Sequence, residues 1–173
     1  MMNNEKVKVS KKQFAEVLYY WLSGYLTKNA IKKSAKELGF KIRNNKDFSK
    51  IFEELFVLDM WLIVYTCEGV FEDEDKRNEC LDIFHHLVYD RHIENKENSF
   101  NDWMMSISPR YVKYSKAMET KHPSTPLWVV ANVINKRLFG EIKKDLSFQM
   151  KMVAHIGLFV EHLGKAIKQY DIE

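Results

Sequence analysis

Leu55-Phe56-Val57-Leu58-Asp59-Met60-Trp61-Leu62-Ile63-Val64 is the stretch that decides the fold. Nine of its ten side chains are apolar, so a helix built from it keeps no face for water. Such a helix must be surrounded by other elements. Asp47 is placed to cap it, the pattern carries it to about Cys67, and Gly69 follows as a stop. The apolar run from Leu55 to Cys67 falls short of the ~20 residues a bilayer span requires, and Asp59 interrupts it. The segment at about 47–67 is therefore expected at the centre of a helical domain.

The flanking sequence supports an all-α bundle of about seven or eight helices. Ser10 and Gln13 have capping-box spacing, and Phe14, Val17, Leu18, Trp21, Leu22, Tyr25 and Leu26 follow at steps of three and four. Tyr20 falls on the opposite face, either under an N-terminal arm or in contact with a partner. A short helix is expected from Asn29 to Leu38 with Gly39 as its stop, then a loop from Phe40 to Lys46. Glu72, Asp73, Glu74 and Asp75 suit the positive end of a helix running to about Ile93. They lack the alternating spacing of a calcium loop.

Ser108-Pro109 and Thr125-Pro126 each place a hydroxyl before a proline, the pattern of a helix start. Three short helices are expected at 100–107, 109–121 and 126–139. The last has apolar residues on two faces, with Trp128 on one and Val129 and Val133 on the other. It is sandwiched in the core or lies at a subunit interface. Ser147 is expected to start a final helix to about Tyr170, striped by Phe148, Met152, Ile156, Phe159, Leu163, Ile167 and Tyr170.

Composition agrees with one globular domain over residues 1–173, with 1–9 a polar arm. The chain has 173 residues, 46% hydrophobic and 29% charged, which argues against a disordered chain. Six Gly and three Pro are too few for a many-stranded sandwich. Two Cys exclude a disulfide scaffold and a four-cysteine zinc module. Cys67 and Cys80 are expected as apolar fillers, with a disulfide across the hairpin as the alternative. The N-terminus carries no secretory leader, so the cytoplasm is the expected compartment.

Charge is uneven. Residues 1–50 carry 12 Lys and Arg against 4 Asp and Glu, residues 51–102 carry 4 against 14, and residues 103–173 carry 11 against 6. The basic third can face the acidic middle, within the chain or between subunits, or it can meet nucleic acid. Lys32, Lys33 and Lys36 are the nucleic-acid candidates. The segment Ala35-Lys36-Glu37-Leu38-Gly39 resembles the turn of a helix-turn-helix DNA-binding motif, with a small residue four before the turn glycine. That resemblance implies a recognition helix beyond Gly39. Asn44, Asn45 and Asp47 stand there instead, with Asn45 where the motif has an apolar residue.

No phosphate loop, dinucleotide fingerprint, nucleophile elbow or zinc helix occurs, and no cofactor is expected. His85 and His92 are seven apart, as are His155 and His162. Seven residues rise about 10.5 Å, so one helix cannot place its own pair on one ion. A metal would need one histidine from each helix; boundary histidines with hydrogen-bonded rings are the simpler expectation. Asp59 needs a partner or a raised pKa inside its apolar helix. Arg77, Arg91 and Arg110 are the candidate partners, and a lining position in a small-molecule pocket is the alternative.

Three functions follow. The first is a non-catalytic protein-interaction module that forms a homo-oligomer, resting on charge segregation, the two-faced helix and the many aromatics. The second is nucleic-acid binding through residues 1–50. The third is an enzyme or sensor with a small-molecule or metal pocket between helices, using Asp59 or the histidines.

Overall fold

Ser10 starts the first helix in the computed structural model, and its hydroxyl and the Gln13 side chain form the expected reciprocal cap. Residues 6–93, 98–119, 125–140 and 146–173 are described. Among them lie seven helices: α1 (Lys11–Tyr25), α2 (Lys28–Glu37), α3 (Asn45–Val70), α4 (Glu74–His92), α5 (Phe100–Glu119), α6 (Pro126–Phe139) and α7 (Leu146–Ile167). The protein is an all-α bundle. Two three-residue strands, β1 (Val7–Val9) and β2 (Tyr170–Ile172), are the only other regular elements described.

The apolar helix takes the centre. α3 packs against α1, α4, α5, α6 and α7, and every residue from Glu54 to Ile63 is buried. Its start and end differ from expectation. Asn44, not Asp47, is the cap: Asn44 Oδ1 accepts from the Asp47 amide at 2.9 Å, and Asp47 Oδ2 accepts from the Arg43 amide at 3.1 Å. Two short polar side chains three apart both suit that turn, and the reciprocal pair moves the start back. At the other end the helix runs through Gly69 to Val70. α2 stops where expected. Gly39 takes φ +85°, and the amides of Gly39 and Phe40 return to Lys36 O and Ala35 O at 3.0 and 2.7 Å.

The acidic run serves as a helix start, with Asp73 Oδ1 accepting from the Lys76 amide at 3.0 Å. Pro109 does not begin a helix. α5 passes through it, and Ser108, expected as a cap, donates instead to Met104 O at 2.6 Å. An interior proline costs about 3 kcal/mol because it lacks the amide proton and crowds the previous turn. The burial of Trp103, Ile107, Tyr114 and Ala117 on either side of it outweighs that local preference. The true start is Ser99, whose hydroxyl accepts from the Asp102 amide at 3.2 Å. The expected end at Lys121 lies outside the described residues.

The chain ends meet. β1 pairs in parallel with β2, with Val7, Lys8 and Val9 opposite Tyr170, Asp171 and Ile172. The polar arm expected at 1–9 is a strand from Val7 to Val9, and α7 ends at Ile167 rather than Tyr170. Val9 and Ile172 turn inward while Tyr170 lies 6.0 Å from the Phe14 ring. No described helix is long and apolar enough to cross a membrane.

Candidate functional site

Asp59 and His155 form the centre of the site. Asp59 is on the buried face of α3, and its side chain is 3% exposed. None of the three expected arginines reaches it. Arg91 pairs with Glu16 at 2.7 Å, Arg110 with Glu53, and Arg77 with Glu74 at 3.7 Å. The partner is His155 of α7, whose Nε2 lies 3.4 Å from Asp59 Oδ1. Burial raises the Asp59 pKa above the carboxylate range, although the imidazole opposes it. Burial alone would lower the His155 pKa, but the hydrogen bond and charge of Asp59 outweigh it and raise it. The pair therefore holds a proton on the imidazole more firmly than a free histidine does.

The other ring nitrogen is what makes the pair a site. His155 Nδ1 has no hydrogen-bond partner among the described residues, and it is not sealed from solvent. His155 lines an open cleft of about 610 Å³ between the end of α1, α2 and α7. Tyr25, Ala30, Ala154, Leu158 and Phe159 supply its apolar lining. Lys33 and Lys151 supply cations, His162 adds a second imidazole, and Glu37 is the carboxylate, 3.9 Å from Lys33 Nζ. The Tyr25 pKa is raised by burial and by the charge of Asp59, so phenol, carboxylate and imidazole share one neighbourhood. Lys151 Nζ also reaches the end of α2, near Gly39, where a cation faces the negative end of that helix.

The other histidines go elsewhere. His85 Nδ1 donates to Leu81 O at 2.7 Å, which leaves Nε2 to accept from the Tyr111 hydroxyl at 3.1 Å. Burial lowers its pKa, which favours the neutral ring. His92 lies beside the rings of Tyr19 and Phe56, its pKa lowered by burial and then by Arg91. His162 is an exposed residue of the cleft rim. Among the described residues no group of three or more His, Cys, Asp and Glu could hold a metal ion. Cys67 and Cys80 are buried free thiols, pushed up by burial to about 12 and about 11.

A second buried carboxylate went unremarked in the sequence. Glu54 accepts from the Tyr114 hydroxyl at 2.6 Å and from Arg137 Nε at 2.8 Å to each oxygen, with Arg110 3.9 Å away. Its position in the same apolar helix was the available signal. Tyr20 is 66% exposed, so no described residue of the N-terminal arm covers it. Trp128, Val129 and Val133 are half-buried, and Val129 and Val133 pack on the chain's own core.

Of the lysine candidates, Lys32 and Lys36 are exposed, and Lys33 belongs to the cleft. The helix-turn-helix expectation fails. The helix after Gly39 is the central one, with Ile51 and Leu55 to Ile63 buried, so it cannot enter a DNA groove. The chain matches no family model, no curated protein and no solved structure, so its site is read from its own geometry.

Proposed function

We propose that this is a ligand-binding protein of the sensor type, whose cleft takes a small anion with an apolar body. The observation that supports it most is the imidazole of His155. One ring nitrogen rests on a buried carboxylate, and the other has no partner among the described residues while the ring lines the cleft. Asp59 orients the ring and favours its protonated form, so Nδ1–H is available to donate to a carboxylate or phosphate. The Tyr25 hydroxyl and the Lys33 ammonium are further donors in reach of the same space. Leu158, Ala154 and Ala30 offer apolar surface to the rest of the ligand.

The homo-oligomer reading keeps fewer supports. α6 lies between α5 and α7 within the chain, which accounts for its two apolar faces. Most aromatic rings join contacts that run through the core. The exposed Tyr20 and the separated charge blocks are what remain in its favour.

Calorimetric titration with phenyl phosphate, benzoate and octanoate tests the ligand reading. At least one is expected to bind saturably, more tightly as pH falls through the raised His155 value. His155→Gln is expected to weaken it tenfold or more. Failure of all three to bind at millimolar concentration, or equal binding by His155→Gln, would sink the proposal.

A further inference from the structure

The acidic middle of the chain makes no described ion pair with the most basic stretch of the chain, residues 26–50. Glu79 is met by Lys11, while Glu53 and Glu54 are met by Arg110 and Arg137 from the last third. Asp73 and Glu74 are met by their own neighbours Lys76 and Arg77. The corner made by α2, the following loop and the start of α3 is left out. Residues 26–50 contain seven Lys and one Arg against Glu37 and Asp47. Lys28, Lys32, Lys36, Lys41, Arg43 and Lys46 have no ion-pair partner among the described residues. Of the two carboxylates, Glu37 is near Lys33 and Asp47 receives the Arg43 amide.

Two clefts run through this corner. One, about 410 Å³, is lined by Lys28, Lys32, Arg43, Asn45, Phe48 and Phe52. The other, about 450 Å³, includes Lys41, Arg43 and Lys50 with Phe40 and Phe139. Arg43 lines both, so cations continue from one to the next. Phe48, Phe52 and Phe56 form a ladder along α3, with centroids 6.2 and 5.8 Å apart. Phe56 is anchored in the core, and Phe48 and Phe52 are half-buried at the cleft.

We propose that this corner is a docking surface for single-stranded nucleic acid. Cations along a groove follow phosphates, and partly exposed rings stack bases that a duplex would keep hidden. Duplex readout lacks its instrument, because α3 is buried beyond its first turns. An anionic membrane would call for apolar side chains that insert, and none of the large exposed apolar residues lies between 26 and 50. The surface is distinct from the His155 cleft and does not depend on it.

Fluorescence anisotropy tests this with labelled oligo(dT) and oligo(U) of about 15 nucleotides. A duplex of equal length and phosphatidylserine vesicles are the comparison partners. The strands are expected to bind at low salt. Neutralising about five phosphates gives a slope of log K on log salt of roughly −3.5. The triple variant Lys32→Gln, Lys36→Gln, Arg43→Gln is expected to weaken binding at least tenfold and to flatten that slope by about 2. Phe48→Leu keeps an apolar filler but removes the ring, and is expected to weaken binding about fivefold. Lys113→Gln, on α5, leaves it unchanged, and circular dichroism checks that each variant is folded. The proposal is overturned by absent strand binding at low salt, by undiminished binding in both test variants, or by tighter binding of duplex or vesicles.

Discussion

Glu54 and Asp59 stand five residues apart on α3, both buried, and their surroundings are opposite. Glu54 receives the Tyr114 hydroxyl and the Arg137 guanidinium at 2.6 and 2.8 Å, all supplied from α5 and α6. Asp59 receives one imidazole at 3.4 Å, from α7. Five residues on a helix turn the side chain by about 140°, so the two look into different interfaces of one bundle. The first is saturated and closed. The second is under-supplied and opens, through His155, on a cleft. A buried charge with full partners is part of the architecture; one held by a single titratable partner keeps chemistry available.

That contrast can be broken by mutation. The largest effect is expected at Arg137→Met, which strands the Glu54 charge and should cost about 3 kcal/mol. For a chain of this length the melting temperature should drop by about 6–12 °C. Asp59→Asn should behave differently, because burial already opposes its charge. Its stability should stay within about 1 kcal/mol of the parent in urea denaturation, while affinity for an anion in the cleft falls. If Asp59→Asn costs as much as Arg137→Met, the two carboxylates are alike and the functional reading of Asp59 goes.

The smallest effect is in pH, where the signs are opposed. The His155 and Asp59 pKa values are raised in the folded state, so the stability they contribute is lost as pH rises through those raised values. The His85 and His92 values are lowered, so they penalise the fold as pH falls through the histidine range. The cost of His155→Gln should therefore be largest near about pH 5 and shrink as pH rises, and that of His85→Gln should grow with pH. Nitrogen NMR of the rings gives the direct reading: His155 should titrate above a free histidine and His85 below it. A His155 that titrates below would remove the proton the cleft is proposed to use.

Much of the bundle was legible in the chain itself. The capping box of Ser10 and Gln13, the stop at Gly39 and the apolar run from Leu55 to Val64 are local signals. Each depends on residues within one or two turns, and each acts where the pattern places it. Pro109 shows the limit of that reasoning. Its local signal is a helix start, yet packing of Trp103 and Tyr114 on both sides carries one helix through it. The strand at Val7–Val9 had its alternation in the sequence, but three residues acquire meaning only when Tyr170–Ile172 arrives beside them.

What the amino-acid sequence determined by itself was the class of fold, the helix at its centre, and the need of Asp59 for a partner. Those follow from periodicity, composition and the cost of burying charge, which act without knowledge of neighbours. Only the tertiary structure decided that the partner is His155 and not an arginine, that Glu54 is sealed, and that the lysines of residues 28–46 form no described ion pair with the acidic middle. These are distances between helices, and they depend on how every side chain in the core packs at once.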